Sequence, residues 1–454
     1  MRPFGIRDQA GYMFGDIGGS FVNIYIDAYF MMFCTYVLGI SPFFMGTLFL
    51  CTRLVDAFCA PLIGSLPDRR MLGKSGDKFK PYVRVAMLPL AASGIFCFLG
   101  EGGWHPAFKH LWVCLSYLLY SLAYSFASIP YGALASVVSG DPQERTKLSR
   151  ARSIGGTLVN FGALSIVPLA VFDGQNQLRG RMFLLLAVLF GLCSIASYLI
   201  LLCHTVERIR LPRAKEDFQF QKVLRGVLHN RPLIGAMVAT MGSLVLLTGQ
   251  SQFGSYLYKE YYGTPRVLSA VNLASLPVTV LLFLLVPRLS EKMGKRRLLL
   301  FTSGVSLVFS AFLFLVPLSN VWLFFALNLV ACLGNNVFSM LVWALVIDCI
   351  DYQELMDGER SDGSIYSIFT FARKLGATAA STIASYGLGW IGFVSGASGQ
   401  APEVARRIRM LCTAIPLVTS LMLVAGIGLL YNLTQADTEK ISRELASRHQ
   451  KAGR

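Results

Sequence analysis

The sequence predicts an all-α membrane protein of about 12 transmembrane helices, arranged as two pseudo-symmetric six-helix bundles. Three observations carry this. The 454 residues are 54% hydrophobic and only 15% charged, with mean hydropathy +0.56, a balance far from that of a soluble globular domain. Apolar stretches of about 18 residues or more recur along nearly the whole chain, and in hydrocarbon a helix satisfies its own backbone. Finally, 32 of the 41 Lys and Arg residues fall at the termini or at every second connection. The positive-inside rule makes that side cytoplasmic, which puts both termini there, as an even number of spans requires.

The expected spans are 13–38, 43–66, 82–100, 110–137, 153–172, 182–203, 233–258, 268–287, 298–317, 320–347, 367–394 and 410–432. The opening MRPFGIRDQAGY lacks the short apolar core and small-residue cleavage site of a signal peptide, so the first span is expected to stay in the protein. The longest polar connection, 204–232, divides the spans six and six. The expected organisation is therefore an N-terminal bundle over 1–203, a cytoplasmic central loop over 204–232, a C-terminal bundle over 233–433 and a cytoplasmic tail over 434–454. The basic turn after span two, DRRMLGKSGDKFKP, has a weaker echo after span eight, PRLSEKMGKRR, which points to an internal duplication.

The formal charge of +16 reads as this topology signal, not as a nucleic-acid patch. The ten cysteines lie mostly inside spans and form no CxxC pair, so they read as small packing residues. None of the five histidines falls at a span centre, which leaves carboxylates as the groups able to carry coupling chemistry. There is no GxSxG, Walker A, HExxH or paired cysteine–histidine cluster. No enzyme activity, no metal site and no cofactor is expected.

Charged and polar side chains inside spans are costly and mark internal paths or internal pairs. In span one, Asp16 and Asp27 are 11 residues apart, within about 20° of one helix face. Asp16 reads equally as a helix-end contact or a functional group. Asp27 is deeper, and faces either a substrate or coupling ion, or the bundle interior as a packing residue. Arg53 and Asp56 fall near the middle of span two, where an isolated charge costs roughly 2.5–3.5 kcal/mol on insertion scales. Their i,i+3 spacing allows an ion pair, and a functional Asp56 carboxylate is the other reading. Span four, YSFASIPYGALASVV, carries Pro130 and Gly132, expected to interrupt the helix, beside Tyr124, Ser128 and Tyr131. Aromatic and hydroxyl groups together suit a sugar, and suit ordinary packing almost as well. Arg152 opens span five and reads as a topology anchor or as a bidentate ligand for a hydroxyl-rich or anionic group. Span seven carries Gln250, Gln252 and Tyr256. Span ten carries Trp343 and, near its cytoplasmic end, Asp348 and Asp351. In span eleven Lys374, next to Arg373, either pairs with Asp56 or snorkels to the membrane surface.

These residues sit in motifs that together resemble one family. They are GYMFGDIGGSF, TYVLGIS, GTLFLCTRLVDAFCAPLIG, GDKFKPYV, YSFASIPYGALAS, DYQELMDGERSDGSIYSIFTFARKLG and GLGWIGF, in order along essentially the whole chain. The chain resembles the glycoside–pentoside–hexuronide:cation symporters of the major facilitator superfamily. Through SIPYGALAS, RARSIGG, HNRPL, FTFARK and APEVARRIR it is most similar to bacterial glucuronide carriers, and it is also similar to the melibiose carriers.

The resemblance implies the major facilitator fold and a secondary transporter working by alternating access. It gives Asp56 the coupling carboxylate's place, Arg152 that of a sugar-contacting arginine, and Lys374 that of a lysine linking the halves at the cation site. Three departures matter. Ala60 stands where sodium-coupled melibiose carriers have a second carboxylate. Ser20 and Ser128 stand where those carriers have sugar-binding carboxylates. A sodium site needs several oxygen ligands, whereas proton coupling needs a single carboxyl, so H+ is expected rather than Na+. The expected coupling set is Asp56, Lys374, Arg53 and Asp27. The expected substrate set is Asp27, Tyr124, Ser128, Tyr131, Arg152, Gln252, Trp343 and Lys374. Gating or structural roles fall to Asp16, Asp68, Asp348 and Asp351. The expected partners are a sugar or glycoside and the lipid bilayer of the cell (inner or plasma) membrane, with no nucleic acid, for a monomeric protein. A lysolipid-type carrier, an uncoupled sugar uniporter and a non-transporting membrane sensor are the competing readings.

Overall fold

A computed structural model describes residues 2–69, 72, 77–100, 103–139, 141–208, 230–357 and 362–451. Among these, regular structure is helical, with one isolated antiparallel bridge between Phe172 and Leu178. In chain order the helices are α1 (Ile6–Met32), α2 (Pro42–Arg69), α3 (Lys80–Cys97), α4 (Pro106–Val138), α5 (Pro142–Thr157), α6 (Ile166–Val171), α7 (Gly180–His204), α8 (Arg231–Tyr256), α9 (Val267–Met293), α10 (Lys295–Leu315), α11 (Val321–Ala331), α12 (Leu333–Asp357), α13 (Asp362–Trp390), α14 (Pro402–Ala425) and α15 (Gln435–Lys451).

Every expected span is helical over most of its length. Among the described residues, 10 helical runs are long and apolar enough to cross a membrane. Two expected spans, 82–100 and 367–394, form α3 and α13 but are not among the ten. The physical reason lies in their sequences. α3 is only 18 residues long and carries Lys80 and Arg84, and α13 carries Arg373, Lys374 and a small, polar GATAAST run.

The expected interruption in span four does not occur: α4 runs unbroken through Pro130. Contacts to α1 hold that region. Tyr12 donates its hydroxyl to the Tyr131 carbonyl at 3.4 Å, and Tyr131 returns the bond to the Tyr12 carbonyl at 2.8 Å. Irregularities fall instead in span ten, interrupted at Cys332 between α11 and α12, and in span five, where a wide π turn (Leu158–Gly162) and a tight 3-10 turn (Ala163–Ser165) separate α5 from α6. Such turns recur near functional regions of helices. The tail forms a helix, α15.

The chain forms two compact units. The first comprises Met1–Glu216, Ser251–Leu273 and Ser385–Ala405. In it α1 packs on α7 and α5, α3 on α4 and α7, and α2 on α4. The C-terminal half of α1 buries Tyr25, Tyr29 and Phe30, and the turn after it buries Phe33; their rings meet Phe98 and Phe183. Glu207 accepts from the backbone N–H groups of Lys78, Phe79 and Lys80 at 2.6, 2.9 and 2.8 Å, placing an anion where the α3 macrodipole is positive. At the far end of α1, Lys259 and Glu260 form a buried pair, joined by Tyr36 and Gln400.

The second unit comprises Asp217–Gln250, Ala274–Ala384 and Arg406–Arg454. α12 packs on α10 and α15, around a core that includes Leu233, Phe338, Leu345, Phe369, Leu423 and Tyr431. An added Cβ at Gly235 would lie 2.5 Å from the Gly426 carbonyl, so bare backbone sets the approach of α8 to the end of α14. Buried Arg409 donates to the carbonyls of Leu313, Phe314 and Val316, closing the open C-terminus of α10. Large apolar side chains such as Phe58, Leu111, Leu284 and Leu315 stand exposed, as lipid-facing positions would.

Candidate functional site

The first unit carries a polar stripe along α1. Asp16, Ser20, Asn23 and Asp27 recur at intervals of four, three and four residues, which is one face of a helix. From Gly11 onward, the rest of α1 is Gly, aromatic, aliphatic and Met. Two clusters of charge form along it.

The deeper cluster is centred on Asp27. Its Oδ2 accepts from Asn23 Nδ2 at 3.0 Å, and its Oδ1 lies 3.4 Å from Arg53 Nη2 on α2. Tyr120 on α4 donates to Asn23 Oδ1 at 2.8 Å. The two bonds fix the Asn23 amide: its oxygen is committed to Tyr120 and its nitrogen to Asp27. Arg53 and Asp27 each keep about a third of their side-chain surface open (31% and 34%), so the pair is reachable. Asp56 is buried one turn along α2 and accepts a hydrogen bond from Ser125 on α4. Arg53 lies within electrostatic range of Asp27, Asp56, Tyr117 and Tyr120. Arg53 thus pairs with Asp27 on α1.

The second cluster is centred on Asp16. Arg152 Nε on α5 donates to Asp16 Oδ1 at 2.9 Å, and Ser20 donates to Oδ2 at 3.4 Å. The guanidinium lies over the Tyr131 ring, 5.3 Å from its centroid, and Tyr131 stacks on Tyr12 at 4.7 Å. Arg152 is 48% exposed and Asp16 16%. Two glycines make this approach possible. An added Cβ at Gly155 would lie 2.7 Å from the Met13 carbonyl, and one at Gly156 would lie 2.9 Å from Asp16 Oδ2.

Other expected site residues are placed as follows. Tyr124 is half-buried on α4 with its ring 6.1 Å from that of Tyr120, and Ser128 is half-buried one turn on. Tyr131 uses its hydroxyl on the α1 backbone, so it offers its ring face to Arg152. Gln252 belongs to the first unit, is 5% exposed, and its Oε1 has no hydrogen-bond partner among the described residues. Tyr256 joins Thr35 by a hydroxyl–hydroxyl bond at 2.7 Å, which is packing. Gln250 donates to Cys332 at 3.0 Å within the second unit. Trp343 and Lys374 also belong to the second unit. There the Arg373 guanidinium lies 5.3 Å from the Trp343 ring, and Lys374 is half-buried on α13. Asp348 pairs with Lys295 at 2.7 Å and accepts from Tyr431 at 3.1 Å, and Asp351 is half-buried on α12. The Asp68 side chain lies outside the described residues.

Sequence reasoning did not assign Asn23, Tyr120 and Ser125 to this site. The first was within reach, since Asp16 and Asp27 already defined the face on which it falls. Tyr120 and Ser125 needed the α4 register. Among the described residues, no three His, Cys, Asp or Glu side chains gather as a metal-binding group.

The family model for MFS/sugar transport protein matches residues 11–435. The chain belongs to this family. It is a multi-pass membrane transporter, not an enzyme. It is similar over 99% of its length to the uncharacterized symporter YjmB of Bacillus subtilis, at 30% identity and 97% coverage of that protein. It is 29% identical to the putative glycoside/cation symporter YagG of Escherichia coli, covering 98% of this chain and 96% of that one. It is 26% identical to a glucuronide carrier protein homolog of Escherichia coli, covering 97% and 96%. Among solved structures it superposes on a bacterial homolog of the human lysosomal transporter Spinster with TM-score 0.64, at 13% identity, covering 96% of this chain and 97% of that one. It superposes on the nucleoside transporter NupG with TM-score 0.62, at 13% identity, covering 93% and 99%. These likenesses agree on the major facilitator fold, which is the fold the sequence predicts.

Proposed function

We propose that this transporter is a proton-coupled symporter of a glycoside or hexuronide, working by alternating access. The observation that carries the proposal is the α1 stripe, where two carboxylates are each met by an arginine inside a membrane bundle. Ion pairs of this kind are expensive at membrane depth and recur where ions and polar substrates pass. Its relatives, a putative glycoside/cation symporter, a glucuronide carrier homolog and an isoprimeverose transporter, support a sugar as the substrate class.

In this reading Asp56 takes up the coupling proton. Ser125 orients its carboxyl, and Arg53, shared with Asp27, sets how strongly the cluster holds a proton. Asp27, Arg152, Tyr124, Ser128, Tyr131 and Gln252 form the sugar-binding set of the first unit. The replacement of carboxylates by Ala60, Ser20 and Ser128 supports H+ over Na+, because the strongest oxygen ligands for a sodium ion are missing. The transporter acts as a monomer in the cell's inner or plasma membrane with both termini cytoplasmic, and the distribution of Lys and Arg supports this orientation.

The test is labelled-sugar uptake by the purified full chain in proteoliposomes, under an imposed inward H+ gradient and, separately, an inward Na+ gradient. Accumulation above the outside concentration with H+ alone is the expected result. Accumulation with Na+ alone would overturn the assignment of the ion, and equilibration under both gradients would favour a uniporter.

A further inference from the structure

We infer that Asp16 is a built-in competitor for Arg152, and that the group it stands in for is the carboxylate of an acidic sugar. The inference rests on the proposed sugar symport and narrows its substrate class. Arg152 presents one positive charge on a planar fork that fits a carboxylate. Asp16 already occupies that charge, through Oδ1 to Nε at 2.9 Å. The occupant is seated, not incidental. Gly156 leaves the space its Oδ2 fills, Ser20 donates to the same oxygen, and the Tyr131 ring supports the guanidinium from beneath. Yet Arg152 remains half-exposed, at 48%, so an incoming ligand can reach the guanidinium while Asp16 is largely covered.

A second carboxylate cannot simply add to this arrangement. Two anions would then share one cation at contact distance, and like charges that close repel strongly where the dielectric is low. The groups facing Asp16 from each packed element are Tyr12 on α1 itself, Tyr124 and Tyr131 on α4, Arg152 on α5 and Tyr198 on α7. Arg152 is the one full positive charge in that set. An acidic sugar therefore binds by exchange. One proton from the aqueous phase binds an Asp16 carboxylate oxygen, forming its O–H bond, the substrate carboxylate takes the place of Asp16 on Arg152, and no other bond forms or breaks. On release the proton leaves Asp16, which returns to Arg152. A neutral glycoside makes no such exchange and needs no proton at Asp16.

The experiment measures KM by counterflow in proteoliposomes containing the full chain, from pH 5 to pH 8. The probes are p-nitrophenyl β-D-glucuronide and the matching neutral p-nitrophenyl β-D-glucoside. Wild type is expected to show a glucuronide-to-glucoside KM ratio that rises with pH, because deprotonated Asp16 reduces the fraction of free Arg152. Asp16→Asn is expected to lower that ratio at pH 8 by roughly tenfold and to flatten its pH profile. Gly156→Ala, which crowds Asp16 Oδ2, moves the ratio the same way and serves if Asp16→Asn does not fold. A purely structural Asp16 would change both KM values together and leave the ratio and its pH profile as in wild type, which overturns the inference. A wild type that carries the glucoside but not the glucuronide overturns it as well, while leaving sugar symport standing. A wild type that carries neither sugar counts against the symport reading itself.

Discussion

Tyr120 and Asp27 are tied together through a single amide. Tyr120 donates to Asn23 Oδ1 at 2.8 Å, and Asn23 Nδ2 donates to Asp27 Oδ2 at 3.0 Å. This relay fixes the carboxylate that faces Arg53 before any substrate or proton arrives. Hydrogen bonds to a charged group are worth about 1.5–3 kcal/mol. Asn23→Leu keeps the side-chain branching and heavy-atom count and removes the donor. It should therefore reduce initial sugar uptake by about tenfold or more. Tyr120→Phe removes only the outer link, and the loss should be smaller, about three- to tenfold. Uptake rates for the two variants, normalised to protein in the membrane, check the order. A larger loss in Tyr120→Phe than in Asn23→Leu would contradict it.

The Lys259–Glu260 pair should behave as a stability element. Its side chains are 2% and 5% exposed, the Lys259 ammonium lies 4.4 Å from the Tyr36 ring centroid, and it also donates to the Ser398 carbonyl at 2.9 Å. Glu260 accepts from Tyr36 at 2.6 Å and from the Gln400 backbone at 2.8 Å. Removing one partner of a buried pair costs about 3–5 kcal/mol, because the other charge is stranded. Lys259→Met should lower the unfolding temperature in detergent by several degrees, and Lys259→Met with Glu260→Gln should recover much of that loss. A single variant as stable as wild type would show that the pair carries no net stabilisation.

Gly155 and Gly156 should differ in how they tolerate alanine. A Cβ at Gly155 meets backbone, the Met13 carbonyl at 2.7 Å, whereas one at Gly156 meets a movable carboxylate. Gly155→Ala must separate α1 from α5, and overpacking of this kind costs about 1–3 kcal/mol. Gly156→Ala should leave folding closer to wild type. Thermal unfolding of the two purified variants checks the difference, and equal unfolding temperatures would contradict it.

The start of α15 is held by a reciprocal cap. Thr434 donates its backbone N–H and its hydroxyl to Asp437 Oδ2 at 2.9 and 2.7 Å, and Asp437 N–H donates back to Thr434 Oγ1 at 3.3 Å. The Thr434 hydroxyl, and then its backbone N–H, hold the Asp437 carboxyl below the usual carboxylate range. A lowered carboxyl stabilises the cap above its unfolded-state titration. That contribution is lost as pH falls through the folded-state value. Amide exchange at 435–439, corrected for intrinsic rates, should therefore lose protection in acid and in Asp437→Ala at neutral pH. Protection unchanged in both would remove the cap from the account.

The legible and illegible parts of this chain divide along physical lines. Hydrophobic runs longer than a bilayer are read directly from sequence, so the spans and the fold followed from 13–38 onward. The helical period also placed Asp16 and Asp27 on one face, which the structure repeats with Ser20 and Asn23 between them. What the sequence could not provide was which side chain on a neighbouring helix would answer each charge. Sequence spacing put Arg53 beside Asp56, but its pairing with Asp27 on α1 needed the structure. Pro130 misled for a related reason: a local signal for interruption meets α1 contacts beside it, and α4 runs on through it. The break in span five, Leu158–Ser165, contains Gly162 and precedes Pro168, which cannot donate to the Leu164 carbonyl, a signal that sequence reasoning did not use.

The measurement that bears most directly on the account is sugar-driven proton movement in proteoliposomes, followed with a pH-sensitive dye, for wild type and Asp56→Asn. A neutral glycoside, which needs no proton at Asp16, should alkalinise the outside medium when added to wild type in the absence of Na+, and Asp56→Asn should abolish that signal while still exchanging sugar across the membrane. Sugar flux without proton movement in wild type, unchanged in Asp56→Asn, would contradict proton-coupled symport and reduce Asp56 to a structural partner of Ser125.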